Sequence, residues 1–280
     1  MDIVNKNEII SNKYSRRKWL KQIPAAAAFL YSIPLIAKPS FRTPNNSEKI
    51  HNEFPAQNHE LVKEFVGVCH RDYDRVKEML TKTPALAKAS WDWGFGDWET
   101  GLGAASHVGR RNIALLLIEN GARPDIFTYA MLGHLDVVKA YIKAMPGIQK
   151  THGPHGITLL AHAENGGDEA SAVYEYLKSL GDADIAQTSM EIVDTDKQLL
   201  LGKYKFGEND DELFEIKLHR LGWPMLERKG KSSNRMHLIG INEFATAGSP
   251  FIKIKFNIEE GKAVSLIVTD GDLIVTANKI

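Results

Sequence analysis

A short unit recurs along the middle of the chain, and it limits the fold more than any other feature: a small-residue helix, a tight turn, a second apolar helix and a Gly-Ala stop. Its clearest copy is TGLGAASHVGRRNIALLLIENGARPD, Thr100 to Asp125. In its second helix Ile113, Leu116 and Leu117 stand at i, i+3 and i+4, the spacing of a buried helical stripe. The turn position recurs as Asp72, Gly109, Gly133 and Gly167, at separations of 37, 24 and 34 residues. Each helix pair covers its neighbour's apolar face, so four in succession predict one continuous core.

The unit resembles an ankyrin repeat, whose period is about 33 residues. Thr100, Leu102, Ala105, Gly109, Ile113, Leu116, Leu117, Gly121 and Ala122 fall on family positions, while Gly103 replaces the usual His and Ser106 the second Ala. VCHRDYDRVKEML before it, and YAMLGHLDVVKAYI and GITLLAHAENGG after it, keep the phase. The resemblance implies an α solenoid of about four helix pairs over 58–187. It also implies recognition through projecting fingers and a concave helix face. The long first spacing leaves room for a β-hairpin finger, which WDWGFGDWET, Trp91 to Thr100, would form.

The chain changes character over 188–280. Short runs such as LFEIKLHRL and FIKIKFNI carry apolar residues at alternate positions, with Phe214, Ile216 and Leu218 on one face and Ile252, Ile254, Phe256 and Ile258 on another. Turn signals surround Gly261 and Gly271. These predict an antiparallel β meander or open barrel, filled by its own side chains rather than hollow. The order of features resembles the small β domain appended to serine β-lactamase-like hydrolases. The fold class expected is thus an α+β multidomain chain, an ankyrin-like solenoid followed by this β domain.

At the other end, SRRKWLK (Ser15 to Lys21) precedes a short apolar run interrupted by prolines. It resembles a twin-arginine export motif with Trp19 where Phe is usual. The run is shorter than the roughly 20 residues a membrane span needs. The expectation is an export signal over 1–37, a polar linker over 38–57, an extracytoplasmic location and no stable span after processing. Lys plus Arg and Asp plus Glu are both 35, which gives no electrostatic basis for binding nucleic acid. Cys69 is the only cysteine, so no internal disulfide forms.

Motifs for chemistry are sparse. The chain has no P-loop, G-x-G-x-x-G, G-x-S-x-G or H-E-x-x-H, and no cofactor is expected. The S-x-x-K string of lactamase-like enzymes occurs only as SRRK, Ser15 to Lys18, inside the signal. Cys69 occupies a packed helical position. THGPHGITLLAHA offers His152, His155 and His162, but no spacing forces them together, and no metal is assigned. His107 and His134 stand at helix and turn positions rather than as ligands.

The finger carries the rest of the signal. Trp93, Phe95 and Trp98 are rigid aromatic anchors of the kind that dominate interfaces, with Asp97 and Glu99 beside them, while Trp91 falls toward the core. As a catalytic pocket, Asp92, Asp97 and Glu99 would need unlike environments to split acid and base roles. The candidate binding set is Trp93, Phe95, Asp97, Trp98, Glu99, His107 and His155. The preferred reading is a non-enzymatic scaffold that binds an unidentified protein partner. The alternative is a small-molecule or carbohydrate-binding protein, or a hydrolase, with its site between the finger and the GPHG loop. An enclosed cleft with Asp97 or Glu99 near His155 would favour the alternative; an open groove with solvent-facing rings would favour the scaffold.

Overall fold

A computed structural model describes residues 50–280 except Thr188 and Lys229. The expected signal at 1–37 and most of the expected linker lie outside the described residues. From His51 onward the chain is a single compact unit.

Its N-terminal half is helical. Helices α1 (His59–Val68), α2 (Tyr73–Lys82), α3 (Gly101–His107), α4 (Arg111–Glu119), α5 (Ile126–Met131), α6 (Leu135–Ala144), α7 (Leu159–Asn165) and α8 (Ser171–Leu180) follow in sequence. Their starts are set by side chains that accept a hydrogen bond from the otherwise unpaired first-turn N–H groups. Asn58 caps α1, Asp72 caps α2, Thr100 caps α3, Asp125 caps α5 and Thr158 caps α7. The helices bury two adjoining apolar clusters. One is built on Phe65, Leu80, Leu86, Ile113 and Leu117, the other on Ile126, Val138, Leu159, Val173 and Leu177. The i, i+3, i+4 stripe is only partly inward: Ile113 and Leu117 are buried, while Leu116 packs at the edge.

Between α2 and α3 lies the expected hairpin, β1 (Ser90–Asp92) paired with β2 (Trp98–Thr100) in the register Trp91 to Glu99. Asp92 Oδ1 accepts from the N–H groups of Gly94 and Gly96, at 2.8 and 3.2 Å, and so closes the tip. Phe95 sits at this tip with φ of 60°, a left-handed conformation that is costly for a bulky residue and persists only where its surroundings impose it.

After helix α9 (Asp194–Leu200) come β3 (Gly202–Lys205), β4 (Leu213–Leu218), β5 (Pro224–Arg228), β6 (Ser232–Gly240), β7 (Glu243–Thr246), β8 (Ser249–Glu259), β9 (Lys262–Asp270) and β10 (Leu273–Lys279). They form an antiparallel up-and-down barrel that β10 closes against β3, through Asn278 opposite Lys205 and Lys279 opposite Tyr204. The expected meander or open barrel is therefore corrected to a closed eight-stranded barrel. Closure satisfies the backbone groups that an open edge would leave unpaired. Alternation follows the sequence: Ile252, Ile254 and Phe256 point inward with Tyr204, Ile216, Leu226, Phe244 and Leu266, while Lys253 and Lys255 point out.

The finger does not project into solvent as a recognition surface. Its tip docks on the barrel: Phe95 packs against the barrel core, and its carbonyl accepts from Ser249 Oγ at 2.6 Å. Trp98 alone of the three expected anchors points outward, 62% exposed.

Candidate metal centre

Four side chains from separate parts of the helical half converge where the finger meets the helices: His70, Glu99, His107 and His155. Each offers one ligand atom, and these four atoms lie within 4.8 Å of one another. His70 follows the C-terminal end of α1, and His107 ends α3. The two helices approach closely because Gly101 opens α3; a Cβ there would stand 2.9 Å from Cys69 Sγ and 3.0 Å from Phe65. Glu99 comes from β2, and His155 from the turn of the Gly153–Gly156 loop. The His70 and His107 rings lie 4.9 Å apart, and the His107 and His155 rings 5.3 Å apart, between centroids.

Glu99 is the hub, with a fully enclosed carboxylate. His70 Nε2 lies 3.5 Å from its Oε2; His155 Nε2 and His107 Nδ1 lie 3.5 and 3.7 Å from its Oε1. The Trp93 indole N–H donates to Oε2 at 2.7 Å. Oε1 and His107 Nδ1 are buried with no hydrogen-bond partner among the described residues. A buried carboxylate oxygen normally finds a donor, so these two partnerless atoms side by side are a specific anomaly.

The remaining nitrogens are tied down. His155 Nδ1–H donates to Asp97 Oδ2 at 2.6 Å, and the His155 backbone N–H donates to Asp97 Oδ1 at 2.9 Å. His70 Nδ1–H donates to the Gly67 carbonyl at 3.1 Å. These two contacts hold the rings from behind and aim Nε2 into the cluster, the outer arrangement typical of metal-ligating imidazoles. Asp97 is held in turn by the barrel: a Cβ on Gly248 would stand 2.5 Å from Asp97 Oδ1. His155 itself has φ of 60°. A second strained residue thus lies at the same place, as expected where geometry serves function.

Electrostatics separate the members. Burial opposes the charge on His155, but the hydrogen bond to Asp97 and the charges of Asp97 and Glu99 overcome it and raise its pKa to about 10. Burial also opposes ionisation of Glu99, yet His155, with His70 and His107, holds the carboxyl below its ordinary value. His107 is dominated by burial, which lowers it to about 4. Without a metal the cluster therefore rests as a His155 imidazolium between two carboxylates beside a neutral His107. Burial together with the Glu99 charge pushes the Cys69 thiol far up, and it is no nucleophile.

Two members of the cluster, His70 and His155, line a cavity of about 890 Å³ between the helical half and the outer face of β5 and β6. Their side chains are 23 and 32% exposed, whereas those of Glu99 and His107, 0 and 5% exposed, lie buried outside its lining. A separate cavity of about 390 Å³ at the barrel end is lined by Phe95, Phe206, Phe214, Val268 and Val275 and does not include the cluster.

Of the residues singled out from sequence, the structure brings Trp93, Asp97, Glu99, His107 and His155 together here, whereas Phe95 turns to the barrel and Trp98 to solvent. His70 was not singled out. Its signal was nevertheless present, since His70 and His107 each stand two residues before a turn position, Asp72 and Gly109. His162 is buried beside the cluster and is not part of it; its Nδ1–H donates to the Thr158 carbonyl at 2.8 Å. His152 bonds the Ile185 carbonyl through Nε2.

Compared with known proteins, the chain matches no family model and no curated protein. The resemblances to ankyrin repeats, to a twin-arginine export signal and to the β domain of lactamase-like hydrolases are accordingly not upheld. The helix pairs stand as an architecture without that family assignment. The scaffold reading falls with the geometry: Asp97 and Glu99 both lie against His155 beside a cleft, which favours a ligand or catalytic site. Among the described residues, no helix is long and apolar enough to cross a membrane.

Proposed function

We propose that the protein is a metal-dependent enzyme acting on a small molecule held in the cavity beside the four-residue cluster. One observation carries this reading: three imidazoles and a carboxylate meet with Nδ1 of His70 and His155 tied from behind, while Glu99 Oε1 and His107 Nδ1 are buried and unpartnered. Bond lengths of about 2.0–2.1 Å place the ligand atoms of a tetrahedral ion about 3.3–3.4 Å apart. The three Glu99 contacts, at 3.5, 3.5 and 3.7 Å, lie near this spacing, while the ligand atoms as a set, within 4.8 Å of one another, would have to draw together around an ion. Three imidazoles and one carboxylate suit zinc, iron, manganese, nickel or copper rather than calcium or magnesium.

Catalysis rather than a structural staple is favoured by the cavity. A structural ion is enclosed by its ligands, whereas here the His70 and His155 side of the cluster opens onto about 890 Å³ of space. An ion with more than four positions would keep some for water or substrate on that side. It would supply Lewis acidity; the chain would supply orientation through Asp97 and exclusion of bulk water from Glu99 and His107.

The test is metal uptake by the full chain after removal of adventitious metal, titrated with Zn²⁺, Mn²⁺ and anaerobic Fe²⁺ by calorimetry. The expected result is one ion per chain, with Glu99→Gln and His107→Ala each weakening binding at least about 100-fold while circular dichroism shows them folded. Absence of uptake, or folded variants that bind as tightly as the wild type, would overturn the proposal.

A further inference from the structure

The wall opposite the cluster names the chemistry of the ligand. In the register Met225 to Arg235 and Glu227 to Ser233, the outward residues of β5 and β6 face the cavity, and Trp223 extends the same wall. The Arg235 guanidinium stacks on the Trp223 ring at 3.8 Å from its centroid. Its Nε is buried with no hydrogen-bond partner, and no carboxylate lies within 4.0 Å of the guanidinium among the described residues. Desolvation works against this charge, with no compensating partner in place. A cation partly withdrawn from water and lacking a counter-ion is a natural partner for an anionic ligand.

The acids around the cavity are already committed. Asp97 is bonded to His155, and Glu227 is paired with Lys217. Of the other cations, Arg228 pairs with Asp211, whereas Arg71 and Lys231 are exposed at the rim. The uncommitted charge facing the cavity is therefore positive, and its least exposed carrier is one planar fork, which matches a carboxylate in two parallel hydrogen bonds. A dianionic phosphate would require further enclosed donors, and the rim cations are in water. Trp93, Ile157 and Met225 add apolar wall. Asn234, opposite the inward Leu226, turns away from this wall and meets the finger, its amide nitrogen facing the Trp93 and Gly94 carbonyls at 3.5 Å.

Resting on the enzyme reading above, we infer that the ligand is a small organic monocarboxylate with an apolar body. Its carboxylate pairs with Arg235 against Trp223, and its apolar body lies between Trp93 and Met225.

Calorimetry with mandelate, phenylacetate, mandelamide and phenyl phosphate tests this on the full chain, both metal-free and metal-loaded. Mandelate and phenylacetate should bind alike, and mandelamide at least about 10-fold more weakly than mandelate. Arg235→Gln should cost mandelate about 10- to 100-fold and leave mandelamide unchanged, with metal uptake unaltered. Mandelate that does not bind, binding equal to that of the amide, indifference to Arg235→Gln in folded protein, or tighter binding of phenyl phosphate would each overturn the inference. The two readings fail separately. Arg235-dependent mandelate binding by a protein that takes up no metal refutes only the metal centre. Metal uptake without discrimination for the carboxylate refutes only the ligand class.

Discussion

Replacing Asp97 by Asn removes one charge and almost no volume from behind the cluster, and its effect can be worked from two contacts. The wild-type carboxylate accepts from the His155 backbone N–H at 2.9 Å and from Nδ1–H at 2.6 Å. An amide cannot accept both with separate atoms. If its oxygen keeps the backbone bond, its NH₂ faces Nδ1 and forces the ring proton to Nε2, the atom aimed at Glu99. Metal affinity should fall about 10- to 100-fold through this change of tautomer alone. In the metal-free protein the loss of one charge-assisted hydrogen bond should cost about 1.5–3 kcal/mol. Removing the side chain as Asp97→Ala leaves the half-buried His155 imidazolium with Glu99 as its remaining carboxylate and should cost at least as much, about 2–3 kcal/mol. Urea denaturation gives the stabilities, and competition with a chromophoric chelator gives the affinities. A folded Asp97→Asn variant that binds metal as tightly as the wild type would refute the claim that Asp97 orients His155 as a ligand.

Other perturbations test neighbouring links. Gly248→Ala introduces a Cβ 2.5 Å from Asp97 Oδ1 at a backbone φ of 79°, and should destabilise by about 1–3 kcal/mol and weaken metal binding; equal affinity would show that Asp97 is not positioned from the barrel. Stability of the metal-free protein, followed by thermal melts against pH, should peak near His155's ordinary value of 6.5. His155, raised to about 10, gives a contribution fully present below about 6.5 and lost as pH rises toward 10. His107, lowered to about 4, adds a loss as pH falls from 6.5 to 4, where the unfolded chain binds the extra proton. A stability that rises between pH 7 and 10 would contradict the His155–Asp97 pairing. Phe95→Ala should cost about 2–3 kcal/mol by unseating the finger from the barrel, and an unchanged urea midpoint would show that the tip is not anchored there. His162→Asn should destabilise the helical half without changing metal stoichiometry, which separates a buried histidine from a ligand.

The helical half was legible because its signals are local. Asp72, Thr100 and Thr158 begin helices by capping them, and Gly109 and Gly133 end first helices, all within a few residues of what they control. The inward face of β8 was equally legible from alternation, since Ile252, Ile254 and Phe256 read at period two. Barrel closure was not, because β10 meets β3 across some seventy residues of chain and only two residue pairs hold the join. Nor was the fate of Phe95: an aromatic at a hairpin tip is written the same way whether it faces solvent or another domain, and only the barrel end decides. The cluster lies between these cases. Asp97, Glu99 and His155 were recognisable as chemistry-bearing residues, but their separation in sequence gave no reason to join them. His70 and His107 occupy the same place in consecutive helix pairs, and stacking of those pairs brings the rings together. That relation was present in the repeat, hidden because each histidine alone looked like a helix end.

The central claim is tested most directly by anomalous diffraction from crystals of the full chain soaked with Zn²⁺ or Mn²⁺ and measured on both sides of the metal edge. The account predicts one strong anomalous peak about 2.0–2.2 Å from the Nε2 atoms of His70 and His155, a His107 ring nitrogen and a Glu99 oxygen. A well-ordered cluster without a peak, or a peak held by other residues, would contradict it.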